Sequence, residues 1–168
     1  DLWHLYRTVR ERKPALILEF GSGCSTIVMA QALADNGLRH GATEVVSLES
    51  DSHWGNVSEQ SIPRSLAPFV RIVVTPAEKS EHAGVPVWRY RDVPAVTPDL
   101  VYLDGPALTP DRKVAADLLD IEDRLAPGAR LIVDGRSRNC AFLAENFSRR
   151  WSRSWNRFLK WTTFDLVA

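Results

Sequence analysis

The sequence is poor in cysteine. Its 168 residues hold only Cys24 and Cys140. Neither has a partner at the two-residue spacing of a thiolate metal clip, which argues against a disulfide framework or a zinc ribbon. A reducing compartment is the default, and a cytoplasmic location is expected. Charge of one sign is also missing. Lys plus Arg and Asp plus Glu each number 21, so the formal net charge is zero. That gives no general attraction to nucleic acid or to an anionic membrane, although local patches stay open. No apolar run approaches the roughly 18 residues of a bilayer span, and no signal peptide is visible. Internal repeats, low-complexity segments and a second domain are likewise missing. The length suits one domain with a full core, expected to comprise residues 1–168.

What is present begins with Leu16-Ile17-Leu18-Glu19-Phe20-Gly21-Ser22-Gly23-Cys24-Ser25-Thr26. An apolar run ends in an acid, a Gly-x-Gly turn follows, and Ser25 to Asp35 reads as a helix. Such a turn lets backbone approach a ligand and offers it free N–H groups. Before it, Leu2, Trp3, Leu5, Tyr6 and Val9 fall at helical spacing, so residues 1–14 are expected to hold a helix that Pro14 ends. After it come strands at Glu44–Leu48, Phe69–Val74, Leu100–Leu103 and Ala129–Val133. Helices are expected at Asp51 to about Ser61, Pro110 to about Leu125, and Asn139 to about Arg150. Strands at Ser154–Leu159 and Thr162–Val167 close the chain. Residues 77–98 hold several prolines and are longer than a usual connection, which suggests a lid, with Val85–Tyr90 able to form an edge strand.

Apolar strands alternating with helices predict an α/β fold with a parallel sheet covered on both faces. Right-handed crossovers then gather the strand C-termini, with Glu19, Glu49, Asp104 and Asp134, on one rim where ligands bind. A dinucleotide fingerprint fits poorly. Its third glycine position is Thr26, and Glu19 puts negative charge where a pyrophosphate would sit. A nucleoside bearing an amino-acid group suits these residues better, and an NAD(P)-binding oxidoreductase remains an alternative.

Glu19-Phe20-Gly21-Ser22-Gly23-Cys24-Ser25-Thr26 resembles the first motif of class I S-adenosylmethionine-dependent methyltransferases. Val45 to Asp51 resembles that family's second strand, Asp99 to Gly105 its fourth motif, and Leu118 to Asp134 the stretch through its fifth strand. The resemblance spans about Ala15 to Ala168. It implies a single doubly wound, mostly parallel seven-stranded sheet with an antiparallel C-terminal strand and helices on both faces. It also implies S-adenosyl-L-methionine as cofactor and methyl transfer to a small-molecule acceptor, oxygen favoured slightly over nitrogen. Gly21, Ser22 and Gly23 would wrap the methionine part, while Glu19 organises the turn and faces the amino group. Glu49, with Ser50 beside it, would accept from the ribose hydroxyls. Ala77 and Glu78 would lie near the adenine, and Asp104 by the sulfonium and the acceptor as the candidate catalytic residue. A non-catalytic domain that only binds the cofactor or a partner stays open, because fold alone does not establish activity.

Some relatives hold a divalent ion with an acid after the fourth strand and an Asp-Asn pair after the fifth. Asp104 and Asp134 match the acids, but Gly135 replaces the asparagine, so no metal is expected unless Asn139 compensates. His82 and Tyr90 are candidate acceptor-side groups, with a solvated loop the blander reading of His82. His53 is expected on the second crossover helix, and His4 and His40 at the periphery. Arg149 to Phe158 interleaves basic and aromatic residues, as single-strand nucleic-acid surfaces do. The favoured reading is an amphipathic strand with packed Trp and solvated Arg side chains, so nucleic acid is not an expected partner. A homodimer is left open.

Overall fold

The structure is a computed structural model that describes residues 2–37, 41–111 and 114–167. His40 lies outside them. Helix α1 (Leu2–Arg12) leads into β1 (Leu16–Phe20), α2 (Cys24–Asp35), β2 (Glu44–Glu49), α3 (Ser52–Ser61) and β3 (Val70–Val74). Strands β4 (Ala77–His82) and β5 (Val85–Tyr90) follow, then β6 (Leu100–Leu103), α4 (Asp117–Ile121) and β7 (Arg130–Asp134). Helix α5 (Ser137–Asn146) and strands β8 (Trp151–Asn156) and β9 (Trp161–Leu166) complete the chain.

Seven strands form one sheet in the order β3-β2-β1-β6-β7-β9-β8. Only β9 runs against its neighbours, pairing antiparallel with both β7 and β8. In β1, Ile17 lies beside Val45 and Leu100, and the strand is apolar on both faces because both are covered. Leu5, Val9, Met29 and Leu33 of α1 and α2 pack on one face, against Ile17, Val45, Tyr102 and Ile132. Leu118, Ile121 and Leu143 of α4 and α5 pack on the other, against Leu18, Val101, Leu131 and Phe164. The chain moves one way from β1 through β2 to β3 and the other way from β6 to β7. The switch point therefore lies between β1 and β6, where a ligand crevice opens at the strand C-termini.

Three expectations need correction. Residues 77–98 are not an open lid. Strands β4 and β5 make an antiparallel hairpin whose two-residue turn, Ala83-Gly84, takes φ of 49° and 77°. Those positive angles match the twist of a tight hairpin. Val87 and Tyr90 bury their side chains in the α4/α5 core, so the second strand is fixed. The polar β4 carries no apolar alternation and was invisible to periodicity.

The helix expected from Pro110 shrinks to Asp117–Ile121, with a 3-10 turn at Glu122–Arg124. Residues 112–113 of that expectation lie outside the described residues, and Val114 to Ala116 are spent sideways. Trp88 N–H donates to Val114 O at 2.9 Å, and Ala116 N–H donates to Trp88 O at 3.0 Å. The Asn139 amide accepts from Ala115 N–H at 2.7 Å and donates to Ala115 O at 2.8 Å.

The last helix ends at Asn146 rather than Arg150, and β8 starts at Trp151. The buried Glu122 carboxylate accepts from Ser148 N–H, Ser148 Oγ, Arg149 N–H and Trp151 Nε1 at 2.6–2.9 Å. Those bonds pull the chain out of helix and pin it to the 3-10 turn. Among the described residues, no helix is long and apolar enough to cross a membrane.

Candidate functional site

A cavity of about 790 Å³ opens at the switch point. Its floor is the turn after β1. Gly21 takes φ of +98° and donates its N–H to Leu48 O at 2.8 Å. A Cβ on Gly105 would lie 2.5 Å from Gly21 Cα and N, and one on Gly21 would lie 2.8 Å from Gly105 Cα and N. Two glycines thus allow the ends of β1 and β6 to touch backbone to backbone. The importance of Gly105 is legible only with this contact known.

Glu19 lies beneath the turn, fully buried. It accepts from Ser25 Oγ and Thr26 Oγ1, each at 2.5 Å, and from Ser47 Oγ at 2.7 Å. Thr26 Oγ1 also accepts from Gly23 N–H at 3.0 Å. Threonine therefore stands at the third-glycine position because its hydroxyl ties the turn to the acid. Burial pushes the Glu19 carboxyl up to about 7 against the pull of the three hydroxyls. Glu19 is thus bonded to the residues that open α2, and it does not itself line the cavity.

Gly21, Ser22, Gly23, Glu49 and Ser50 all line the cavity. Glu49 is fixed from two sides. Its Oε1 accepts from Ser50 N–H at 2.6 Å and Asp51 N–H at 3.0 Å. Its Oε2 accepts from Ser22 N–H at 3.3 Å and Ser22 Oγ at 3.1 Å. Ser22 Oγ in turn sits 2.8 Å from Ser58 Oγ. Asp51 caps α3 by accepting from His53 and Trp54 N–H groups. Ala77, after β3, lines the cavity with Pro76; Glu78 does not, being ion-paired with Arg91.

On the β6/β7 side, Asp104 and Asp134 line the cavity. Tyr102 Oη donates to Asp134 Oδ2 at 2.9 Å. Partial burial raises the Asp104 carboxyl above the usual range, Arg136 opposes that rise, and the Asp134 charge adds to it. Arg136, which the sequence did not single out, is a buried guanidinium. It donates to Asp104 O and, at 3.0 Å, to Pro106 O, and it lies 3.8 Å from the Asp104 carboxylate. It thereby fixes the turn that carries Asp104. A lone arginine after β7 gives no periodic signal.

Asn139 is spent on the Ala115 backbone and is not available as a metal ligand. Among the described residues, no cluster of three or more His, Cys, Asp or Glu groups could hold a metal. His82 and Tyr90 lie outside the cavity lining. His82 packs edge-on against Phe142 of α5, and Tyr90 packs with tilted rings against Phe20. His53 is on α3 as expected, and His4 is exposed. Trp54, Val57, Ser58 and Ser61 form one face of α3 that lines the cavity instead of the core. Their i, i+3, i+4, i+7 spacing was the available signal.

The sequence model of a methyltransferase domain family matches residues 18–135, from β1 through β7. The chain belongs to this family of methyltransferase domains. No curated protein matches the chain. Among solved structures, it is similar to a Podospora anserina methyltransferase, PaMTH1, bound to SAH. The two are 17% identical with a TM-score of 0.66, covering 99% of this chain and 77% of that one. A Geobacter sulfurreducens methyltransferase is 15% identical with a TM-score of 0.65, covering 99% and 78%. The O-methyltransferase from Bacillus cereus in complex with SAH is 16% identical with a TM-score of 0.58, covering 99% and 80%. At these identities the structural likeness is one of fold. The family match sets aside the oxidoreductase alternative.

Proposed function

We propose that the chain binds S-adenosyl-L-methionine at this cavity and transfers its methyl group to a small-molecule acceptor, a hydroxyl in preference to an amine. One observation carries the reading. Glu49 ends β2 inside the cavity, braced by two backbone N–H groups on one oxygen and by Ser22 on the other. A carboxylate held in this way suits a vicinal diol, each hydroxyl donating one bond. The Gly21-Ser22-Gly23 backbone and the N-terminus of α2 receive the amino-acid part. Pro76 and Ala77 offer the apolar end of the cavity to the base, with Ser50 beside the ribose.

The cofactor supplies a methyl group on a sulfonium, and displacement needs alignment and an acceptor lone pair. Asp104 lies on the acceptor side, held there through Arg136. Its raised proton affinity suits it to take the proton that a hydroxyl acceptor loses as the new O–C bond forms. Asp104→Asn is expected to leave S-adenosylhomocysteine affinity within about twofold. It should slow transfer to a hydroxyl acceptor by about 100-fold or more, the usual contribution of a positioned base. Transfer from radiolabelled cofactor to a panel of phenolic and aliphatic alcohols, scored against amines, tests both parts. Undiminished turnover by Asp104→Asn would remove Asp104 from the chemistry.

A further inference from the structure

We propose that strand β8 and the β8–β9 turn form a docking surface for single-stranded nucleic acid, separate from the cofactor cavity. Residues 149–160 hold five basic side chains and no acid, while the other 156 residues carry five more acids than bases. The zero net charge thus conceals a basic strip on an otherwise acidic molecule. Strand β8 is the open edge of the seven-stranded sheet, beyond β9.

The sequence expectation of packed tryptophans holds for one of two. Trp151 stacks on Phe147 with ring centroids 4.8 Å apart and meets Phe164 edge-on. Trp155 is 53% exposed and Phe158 is 88% exposed. Arg150, Arg153, Arg157 and Lys160 are exposed around them. The Arg157 guanidinium lies 5.5 Å over the Phe158 ring, and that of Arg153 lies 5.7 Å over Phe164.

The turn is braced by its own hydrogen bonds. Asn156 Oδ1 accepts from the N–H groups of Phe158 and Leu159 at 3.1 and 3.2 Å. It is also tied to the site rim, where Gly135 N–H donates to Lys160 O at 3.1 Å. The strip therefore runs along the sheet edge and ends beside Asp134. Trp155, near the end of β8, and Phe158, on the turn, leave their rings open to solvent beside exposed arginines, and a partner that stacks on them would cover both.

The chemistry selects the partner. Planar guanidinium forks meet phosphates, and open aromatic faces stack on bases. Ser152, Ser154 and Asn156 alternate with Arg153 and Trp155 along the strand and take its other face, so β8 presents no apolar helical face of the kind by which proteins settle on lipid. A duplex would offer phosphates to the arginines but hide its base faces from Trp155 and Phe158.

The test measures fluorescence anisotropy of a labelled single strand of about 12 nucleotides, within the usual site size. The same sequence as duplex and vesicles of phosphatidylserine with phosphatidylcholine serve as the other probes. The single strand is expected to bind more tightly than the duplex. With about four phosphate contacts its affinity should fall about fiftyfold between 50 and 200 mM salt. Trp155→Ala with Phe158→Ala should weaken binding by at least about fivefold per ring, and Arg153→Glu with Arg157→Glu should abolish it. S-adenosylhomocysteine titrated into the same variants reports whether the cavity is intact, so loss of the strip is separable from loss of the fold or of the methyl-transfer reading. Failure of the single strand to bind at low salt would overturn the proposal. So would binding indifferent to these substitutions, or vesicles held as tightly as the single strand.

Discussion

Replacing Gly105 by alanine tests the crossing that shapes the cavity floor. The added Cβ would lie 2.5 Å from Gly21 Cα and N and 2.7 Å from Phe20 C. All three are backbone atoms, so no rotamer change relieves the overlap. The ends of β1 and β6 must separate by about 1 Å to restore ordinary contact. Asp104 N–H and Gly105 N–H, which both donate to Phe20 O, are the bonds that stretch. Overpacking of this kind costs about 1–3 kcal/mol, and each weakened bond adds about 1 kcal/mol. A loss of about 3–5 kcal/mol follows. In a chain of this size that is a fall of roughly 6–20 °C in Tm. Circular dichroism melts and urea titration measure it. Gly23→Ala is the control, because a Cβ there meets nothing within 4 Å. Its cost should stay below about 1 kcal/mol, consistent with a poorer N-cap. Gly23 lines the cavity, however, so the same substitution should weaken S-adenosylhomocysteine binding. A Gly105→Ala protein as stable as the parent, or a Gly23→Ala protein less stable than Gly105→Ala, would refute the reasoning.

Other outcomes follow from the buried acids. Glu122→Gln sets an amide N–H₂ against groups that only Glu122 now receives, and should cost about 2–4 kcal/mol in urea unfolding. Burial alone would raise the Glu122 carboxyl, but Ser148, Trp151 and Arg149 hold it below the usual range. Its contribution to stability is therefore present above its unfolded pKa and lost as pH falls through the folded one. Glu19 and Asp117 go the other way, because burial pushes each up to about 7. The folded state then binds more protons than the unfolded state, and stability should fall as pH rises from about 4 to about 7. Melts across that range should show the slope, and Glu19→Gln should remove about half of it, leaving the part that Asp117 carries. A slope unchanged by Glu19→Gln would place the proton elsewhere.

The parts of the fold carried by period and punctuation were legible. Each of the five parallel strands stands within a residue or so of its expected place; β1, β2, β6 and β7 are mainly apolar because both faces are buried, while β3, at the sheet edge, is only partly buried. The rim positions of Glu49 and Asp104 were legible because Glu49 ends β2 and Asp104 directly follows β6, and both line the cavity. What escaped depends on partners distant in sequence. Strand β4 is polar and pairs through its backbone with β5. The segment before α4 looks helical until Trp88 and Asn139 claim its backbone. Arg136 and Gly105 matter only through the turn at Asp104 and the approach of Gly21. The enclosure of Glu19 by Ser25, Thr26 and Ser47, behind the cavity lining, likewise depends on the folded turn.

The most direct measurement is calorimetric titration of S-adenosylhomocysteine into the parent protein and Glu49→Gln, with NAD as the competing ligand. Binding by the parent, weakened by about 10- to 150-fold in Glu49→Gln as a charged hydrogen-bond pair is lost, with no uptake of NAD, is the predicted result. Equal affinity in the two proteins, or NAD bound in preference to S-adenosylhomocysteine, would contradict the account.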